Sequence, residues 1–227
     1  MKRLVGFLTL WLVVVISCTT NEERMAMRQG LDSLNQRNRN GQPFTVSDVQ
    51  PYVEFFDEHG TPNDRLLAHY LLGLAYYDHG EAPMALQCYL DAADCADTTA
   101  ADCDYAQLAR VYGQMAQVFY SQGLYQEQLQ KTRVSVKYAW KGRNTLLALN
   151  NYEQSIHAYR MLGQFDSVIY VCQQVSTLYR KYGYKSSAAR ALVSGMRTLI
   201  SNKEFNKVKN YIDVNSLIEF KFIIPIK

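Results

Sequence analysis

Four helix-ending residues recur along this chain: Gly80 in YYDHGEAPMAL, Gly123 in FYSQGLYQEQL, Gly163 in YRMLGQFDSVI and Asn202 in LISNKEFNKV, at intervals of 43, 40 and 39 residues. Each lies between two runs of helical period. A glycine or asparagine there supplies a left-handed C-cap, so the second helix folds back on the first. One such hairpin buries one face only. Its other apolar face needs a neighbouring hairpin, and three or more units are required for stability. Composition agrees: Pro is scarce at five, Tyr abundant at seventeen, and Ala, Leu and Gln favour helix.

The residues around these turns resemble the tetratricopeptide repeat. The first unit fits best, with Leu72, Gly73 and Tyr76 on helix A, Gly80 at the turn, and Ala85, Tyr89 and Ala92 on helix B. It lacks only the helix-A Trp (His69 here) and the closing Pro (Asp97). The second unit offers Met115, Ala116 and Phe119, with Gln128, Thr132 and Ser135 as poor matches on helix B. The third offers Ile156, Tyr159, Val168, Cys172 and Val175, and the fourth keeps Gly195 and Tyr211. The resemblance covers residues 64–215. It implies an all-α fold, a right-handed superhelix of antiparallel helix hairpins of the TPR-like α-solenoid kind. Intervals near 40 call for longer helices or longer connectors than the minimal repeat of about 34 residues.

Residues 18–63 read as a helical cap on the array. One helix is expected over 22–38, with Met25, Leu31 and Leu34 inward, then a loop over 37–43. Ser47 with Gln50 three residues on reads as an N-cap for a helix carrying Val53, Phe55 and Phe56 to Gly60. Thr61-Pro62-Asn63-Asp64 is the next turn and cap. Beyond the array, residues 216–227 form an apolar tail, SLIEFKFIIPIK, too short to span a membrane. It either packs on the last hairpin or marks a truncated reading frame.

The first seventeen residues are a further departure from globular sequence. Lys2 and Arg3 precede an apolar run from Leu4 to Ile16, shorter than the ~20 residues that span a bilayer, so residues 1–17 read as a signal peptide. Val15-Ile16-Ser17-Cys18 resembles the lipobox of bacterial lipoproteins. That resemblance implies cleavage before Cys18, a thioether-linked diacylglycerol on its sulfur, and acylation of the new amino terminus. Two or more acyl chains anchor stably where one does not. The chain looks like the lipid-anchored repeat proteins of Bacteroidota, which implies an envelope location, most simply at the outer membrane.

Beyond residue 17 there are 22 Lys+Arg against 21 Asp+Glu, a net +1. No charge run stands out, and nothing electrostatic argues for nucleic acid. The thiols left after Cys18 are Cys88, Cys95, Cys103 and Cys172. Cys88 and Cys95 are too far apart on one helix to bridge, whereas Cys95 and Cys103 flank a short loop and can pair if their side chains converge. None of His59, His69, His79 and His157 stands three or four residues from a second His or Cys, so no metal is expected. No phosphate loop, nucleophile elbow or HExxH is present, and neither catalysis nor a cofactor is expected.

The resemblance further implies a groove lined by exposed helix-A positions. These are Tyr70, Tyr77 and Asp78 in unit one, Arg110, Gln117 and Tyr120 in unit two, and Asn150, Glu153, His157 and Arg160 in unit three. Such residues suit protein recognition. The expected role is a non-catalytic scaffold tethered through Cys18, binding a protein or peptide of the bacterial envelope. Two other roles are compatible with the sequence: the input domain of a truncated sensor, and a nutrient- or glycan-binding lipoprotein using exposed tyrosines.

Overall fold

The structure, a computed structural model, describes the backbone of residues 2–215 and the side chains of residues 21–208, 210 and 211. The Cys18 side chain and the apolar tail at 216–227 lie outside the described residues. The described secondary structure is all helical: α1 (Lys2–Arg39), α2 (Val46–His59), α3 (Pro62–Asp78), α4 (Ala82–Cys95), α5 (Tyr105–Ser121), α6 (Tyr125–Lys141), α7 (Thr145–Met161), α8 (Phe165–Lys181), α9 (Lys185–Ser201) and α10 (Phe205–Asn215). They form two compact units, one over Met1–Cys103 and one over Asp104–Lys227.

In the first unit α1 and α2, then α3 and α4, pack as antiparallel pairs. The cap of α2 is Thr45 rather than Ser47. The Thr45 hydroxyl accepts from the Asp48 amide at 3.3 Å, and the Asp48 carboxylate accepts from the Thr45 amide at 2.9 Å. An Asp at the third helical position closes this box as Glu or Gln would. Thr61 and Asp64 repeat the device at the start of α3, with Pro62 in the first turn. Asp64 is buried and also pairs with Arg28 of α1, while Arg24 donates to the His59 carbonyl. Leu31 and Leu34 are buried as expected, but Met25 is exposed. Nine residues, about two and a half turns, put Met25 opposite Leu34 on the helix.

The second unit is more regular than the sequence spacing suggests. Helices α5 to α9 each run seventeen residues, and each connector is three residues long. The middle connector residue is left-handed every time: Gly123 (φ 75°), Arg143 (54°), Gly163 (69°), Gly183 (84°) and Lys203 (59°). The amide of the next residue reaches back to the last turn, Leu124 N to Phe119 O at 2.9 Å and Glu204 N to Leu199 O at 2.9 Å among them. This is a Schellman closure, repeated every twenty residues. The fourth anchor therefore lies at Lys203 and not at Asn202, whose φ is −90°. The length beyond the minimal repeat resides in the helices.

Gln128, Thr132 and Ser135, the poor matches on α6, are buried nonetheless. The Ser135 hydroxyl donates to the Ala109 carbonyl at 2.5 Å and accepts from the Asn151 amide at 2.6 Å, so one side chain links α5, α6 and α7.

The near-neutral total charge conceals a division along the chain. Residues 21–103 hold 14 Asp+Glu against 5 Lys+Arg, and residues 104–227 hold 17 Lys+Arg against 7 Asp+Glu. The first unit is strongly acidic and the second strongly basic, a polarity that the whole-chain sum hides.

Candidate functional site

Alternation of hairpins in the second unit leaves α5, α7 and α9 as the first helices of successive pairs. Their side chains reach one another directly. The Tyr120 ring of α5 lies 6.1 Å from the His157 ring of α7, centroid to centroid. From α7, Glu153 accepts from Arg190 of α9 at 3.2 Å, and Arg160 donates to Ser194 at 3.1 Å and to Thr198 at 3.4 Å. Three helices thus share one polar and aromatic face.

Glu153 is the centre of this face. Its carboxylate accepts from the Tyr179 hydroxyl at 2.9 Å as well as from Arg190, and Tyr179 also reaches Asn150 at 2.7 Å. The Tyr179 side chain is fully buried, so burial first, and then the Glu153 carboxylate, pushes its hydroxyl far above the usual phenol range. The hydroxyl remains a donor and fixes Glu153 from below. The same carboxylate raises the Arg190 guanidinium. At the other end of the face His157 is solvent-exposed, and partial desolvation by its neighbours, then the nearby Arg160 charge, lower its pKa against a smaller opposing pull from Glu153. The His157 imidazole is held towards its neutral form, able to donate and accept.

Of the expected groove positions in this unit, Asn150, Glu153, His157, Arg160 and Tyr120 take part in these contacts. Gln117 and Arg110 are half-buried on α5, with Arg110 turned towards Gln107 of its own helix at 3.4 Å. In the first unit Tyr77 is half-buried and Asp78 exposed. Tyr70 is a correction: it is 4% exposed and packs on Tyr89 with ring centroids 6.3 Å apart, inside the hairpin. Helix α3 is apolar almost all round, and a large ring there has no outward face to occupy.

Sequence reasoning overlooked Arg190, Ser194 and Tyr179. The first two belong to the fourth repeat, where the tetratricopeptide resemblance is thinnest. The register would have found Arg190, which stands forty residues after Asn150 and eighty after Arg110.

The chemistry on this face is hydrogen bonding and charge pairing. Cys95 is a free thiol, so its pairing with Cys103 is not formed. Among the described residues, no group of three or more His, Cys, Asp or Glu is placed to hold a metal ion, and no helix is long and apolar enough to cross a membrane.

No protein-family model matches the chain, and no curated protein sequence matches it. Solved structures do. The chain is similar to nearly identical TPR-like repeats of a Podosopora anserina kinesin light chain, with a TM-score of 0.64 and 16% identity over 87% of this chain and 97% of that one. A single-residue variant of those repeats gives 0.63 and 16%, over 86% and 95%. The fold is that of TPR-like helical repeats. At such identity the likeness carries the fold and nothing finer.

Proposed function

We propose that this protein is a non-catalytic scaffold that binds a protein or peptide of the bacterial envelope, held there by lipid on Cys18. The observation that carries the binding role is the bridging of α5, α7 and α9 through Tyr120–His157, Glu153–Arg190 and Arg160–Ser194. Those contacts order long side chains before any partner arrives, which lowers the entropy lost on binding. The face combines ring edges, guanidinium groups and amides, the chemistry enriched at recognition surfaces. TPR-like repeats are suited to such a role because stacked hairpins present adjacent helices as one extended surface.

The tether rests on sequence: a basic start, a short apolar run and Val15-Ile16-Ser17-Cys18. Replacing Cys18 by Ala removes lipid labelling and releases the protein from the membrane fraction. Unchanged labelling and partitioning would refute the anchor.

The face is tested by replacing Tyr120 and Arg160 together with Ala and comparing this variant with Gln126 and Gln130 replaced by Ala on exposed positions of α6. Capture of envelope proteins is measured by pull-down, with circular dichroism as the control for folding. Loss of a captured protein in the first variant alone supports the reading. Equal retention by both rules out this face as the binding surface.

A further inference from the structure

Two long stretches of the second unit contain no acidic residue. Between Glu127 and Glu153 there are five Lys+Arg and no Asp or Glu, and between Asp166 and Glu204 six and none. Each stretch carries one exposed aromatic near the C-terminal end of the second helix of its hairpin, Trp140 on α6 and Tyr182 just after α8. Trp140 is 38% exposed and Tyr182 42%, and their ring centroids lie 5.8 Å apart with the planes tilted by 44°. The Lys181 ammonium lies 5.6 Å from the centre of the Tyr182 ring. Arg133, Lys137, Lys185 and Arg180 stand near this pair in sequence, and among the described residues none of them, nor Lys181, forms an ion pair.

We infer that the Trp140–Tyr182 pair and its basic surround form a second membrane contact, docking the basic unit onto an anionic, phosphate-bearing lipid surface. Cations at helix C-termini complement the helix dipole, which accounts for Arg180, Lys181 and their counterparts at the end of α6. It does not account for an indole and a phenol paired in solvent beside them. Indole and phenol carry an apolar body and a polar tip, a combination favoured at headgroup depth, and lysine and arginine stems reach from that depth to phosphate. Unpaired cations without intervening carboxylates feel the full attraction of an anionic leaflet. The residues concerned lie on α6, at the end of α8, in the α8–α9 connector and at the first residue of α9, whereas the recognition face draws on α5, α7 and the later α9 residues Arg190, Ser194 and Thr198. Docking does not depend on Cys18; a lipid anchor would raise the local concentration of the patch at the surface.

Trp140 is the one tryptophan after residue 17, since Trp11 is the other. Its emission therefore reports the patch directly in the chain of residues 18–227 carrying Cys18→Ser. This protein is titrated with vesicles of phosphatidylcholine and with vesicles of phosphatidylcholine mixed with phosphatidylglycerol. The expected result is a blue shift and co-sedimentation with the phosphatidylglycerol vesicles only, both reversed by high salt. Lys137→Glu with Lys181→Glu weakens vesicle binding roughly tenfold or more. Trp140→Ser with Tyr182→Ser weakens co-sedimentation while circular dichroism stays unchanged. Failure to bind the anionic vesicles, or binding indifferent to both double variants, overturns the inference. Tighter binding of poly-glutamate than of vesicles, sensitive to the same substitutions, overturns it in favour of an acidic protein partner. A blue shift on concentrating the protein without lipid overturns it in favour of a second copy of this chain, docked through its acidic unit.

Discussion

The ring of Tyr89 occupies the space where a side chain at Gly73 would begin: a Cβ built on Gly73 lies 2.5 Å from Cε1 and 2.6 Å from Cδ1 of that ring. Tyr89 is fully buried on α4, so the ring has no free direction in which to swing. The close approach of α3 and α4 is therefore bound to the absence of a side chain at residue 73. Gly73→Leu is expected to destabilise the protein, with overpacking costing about 1–3 kcal/mol against a gain of roughly 0.8 kcal/mol in helix propensity. No single substitution on the α5, α7 and α9 face should cost as much. Combining Gly73→Leu with Tyr89→Ala should cost less than the two separate changes added, because the smaller residue at 89 makes room for the larger one at 73. Chemical denaturation of the four proteins measures this coupling. Strict additivity would show that the two side chains do not compete for the same space.

The connectors predict a second effect, of opposite sign. Arg143 and Lys203 hold the left-handed conformation that Gly123, Gly163 and Gly183 hold elsewhere in the same unit. A residue with a Cβ is disfavoured there by about 1–2 kcal/mol relative to glycine. Arg143→Gly should raise the thermal midpoint, and Gly163→Ala should lower it by a comparable amount. Both positions are away from the recognition face contacts, so the melts read the backbone alone. A fall in stability for Arg143→Gly would mean that its side chain supplies a contact worth more than the strain.

Much of this architecture is legible in the residues, and the exceptions have physical reasons. Gly80, Gly123 and Gly163 mark hairpin turns because a left-handed residue selects strongly for glycine. Arg143 escapes notice because the structure tolerates strain at that connector, and the equal spacing of all the helices is hidden with it. Thr45 outranks Ser47 as a cap because the partner at the third helical position is an Asp. Tyr70 reads as surface from its repeat position, yet α3 is apolar on nearly every side, and helical period cannot separate inward from outward in such a helix. The bridges Glu153–Arg190 and Arg160–Ser194 join residues more than thirty positions apart. Local pattern does not contain them, although the forty-residue register does single out Arg190. The acidic and basic halves cancel in a charge summed over the whole chain, and the boundary between them is a property of the fold.

Burial separates the thiols by reactivity. Cys88 and Cys172 are both buried, and desolvation pushes each thiol up to about 11 from an ordinary value of 9.0. The thiolate is the reactive form, so both should resist alkylation in the folded protein at mildly alkaline pH. Peptide mapping after iodoacetamide treatment should find them modified only when denaturant is present. Rapid native-state labelling of Cys172 would indicate that the α7–α8 hairpin opens far more readily than its packing suggests.

The pH response of His157 follows from its surroundings. Partial desolvation first, then the Arg160 charge, depress its pKa below the ordinary 6.5, with Glu153 opposing more weakly. With the folded value below the unfolded one, the unfolded chain binds the proton more readily. The contribution of the neutral ring is complete above the unfolded value and is lost as pH falls from about 6.5 through the folded value. Stability of the parent protein should therefore decline more steeply over that window than that of His157→Gln, which has nothing to titrate there. The carboxylates titrate in both proteins and cancel in the comparison. Denaturant midpoints measured at neutral pH and at successive steps below it supply the two slopes. Equal slopes would place His157 in ordinary solvent, beyond the influence of Arg160, and would break the continuity between α5 and α7 on which the recognition face depends.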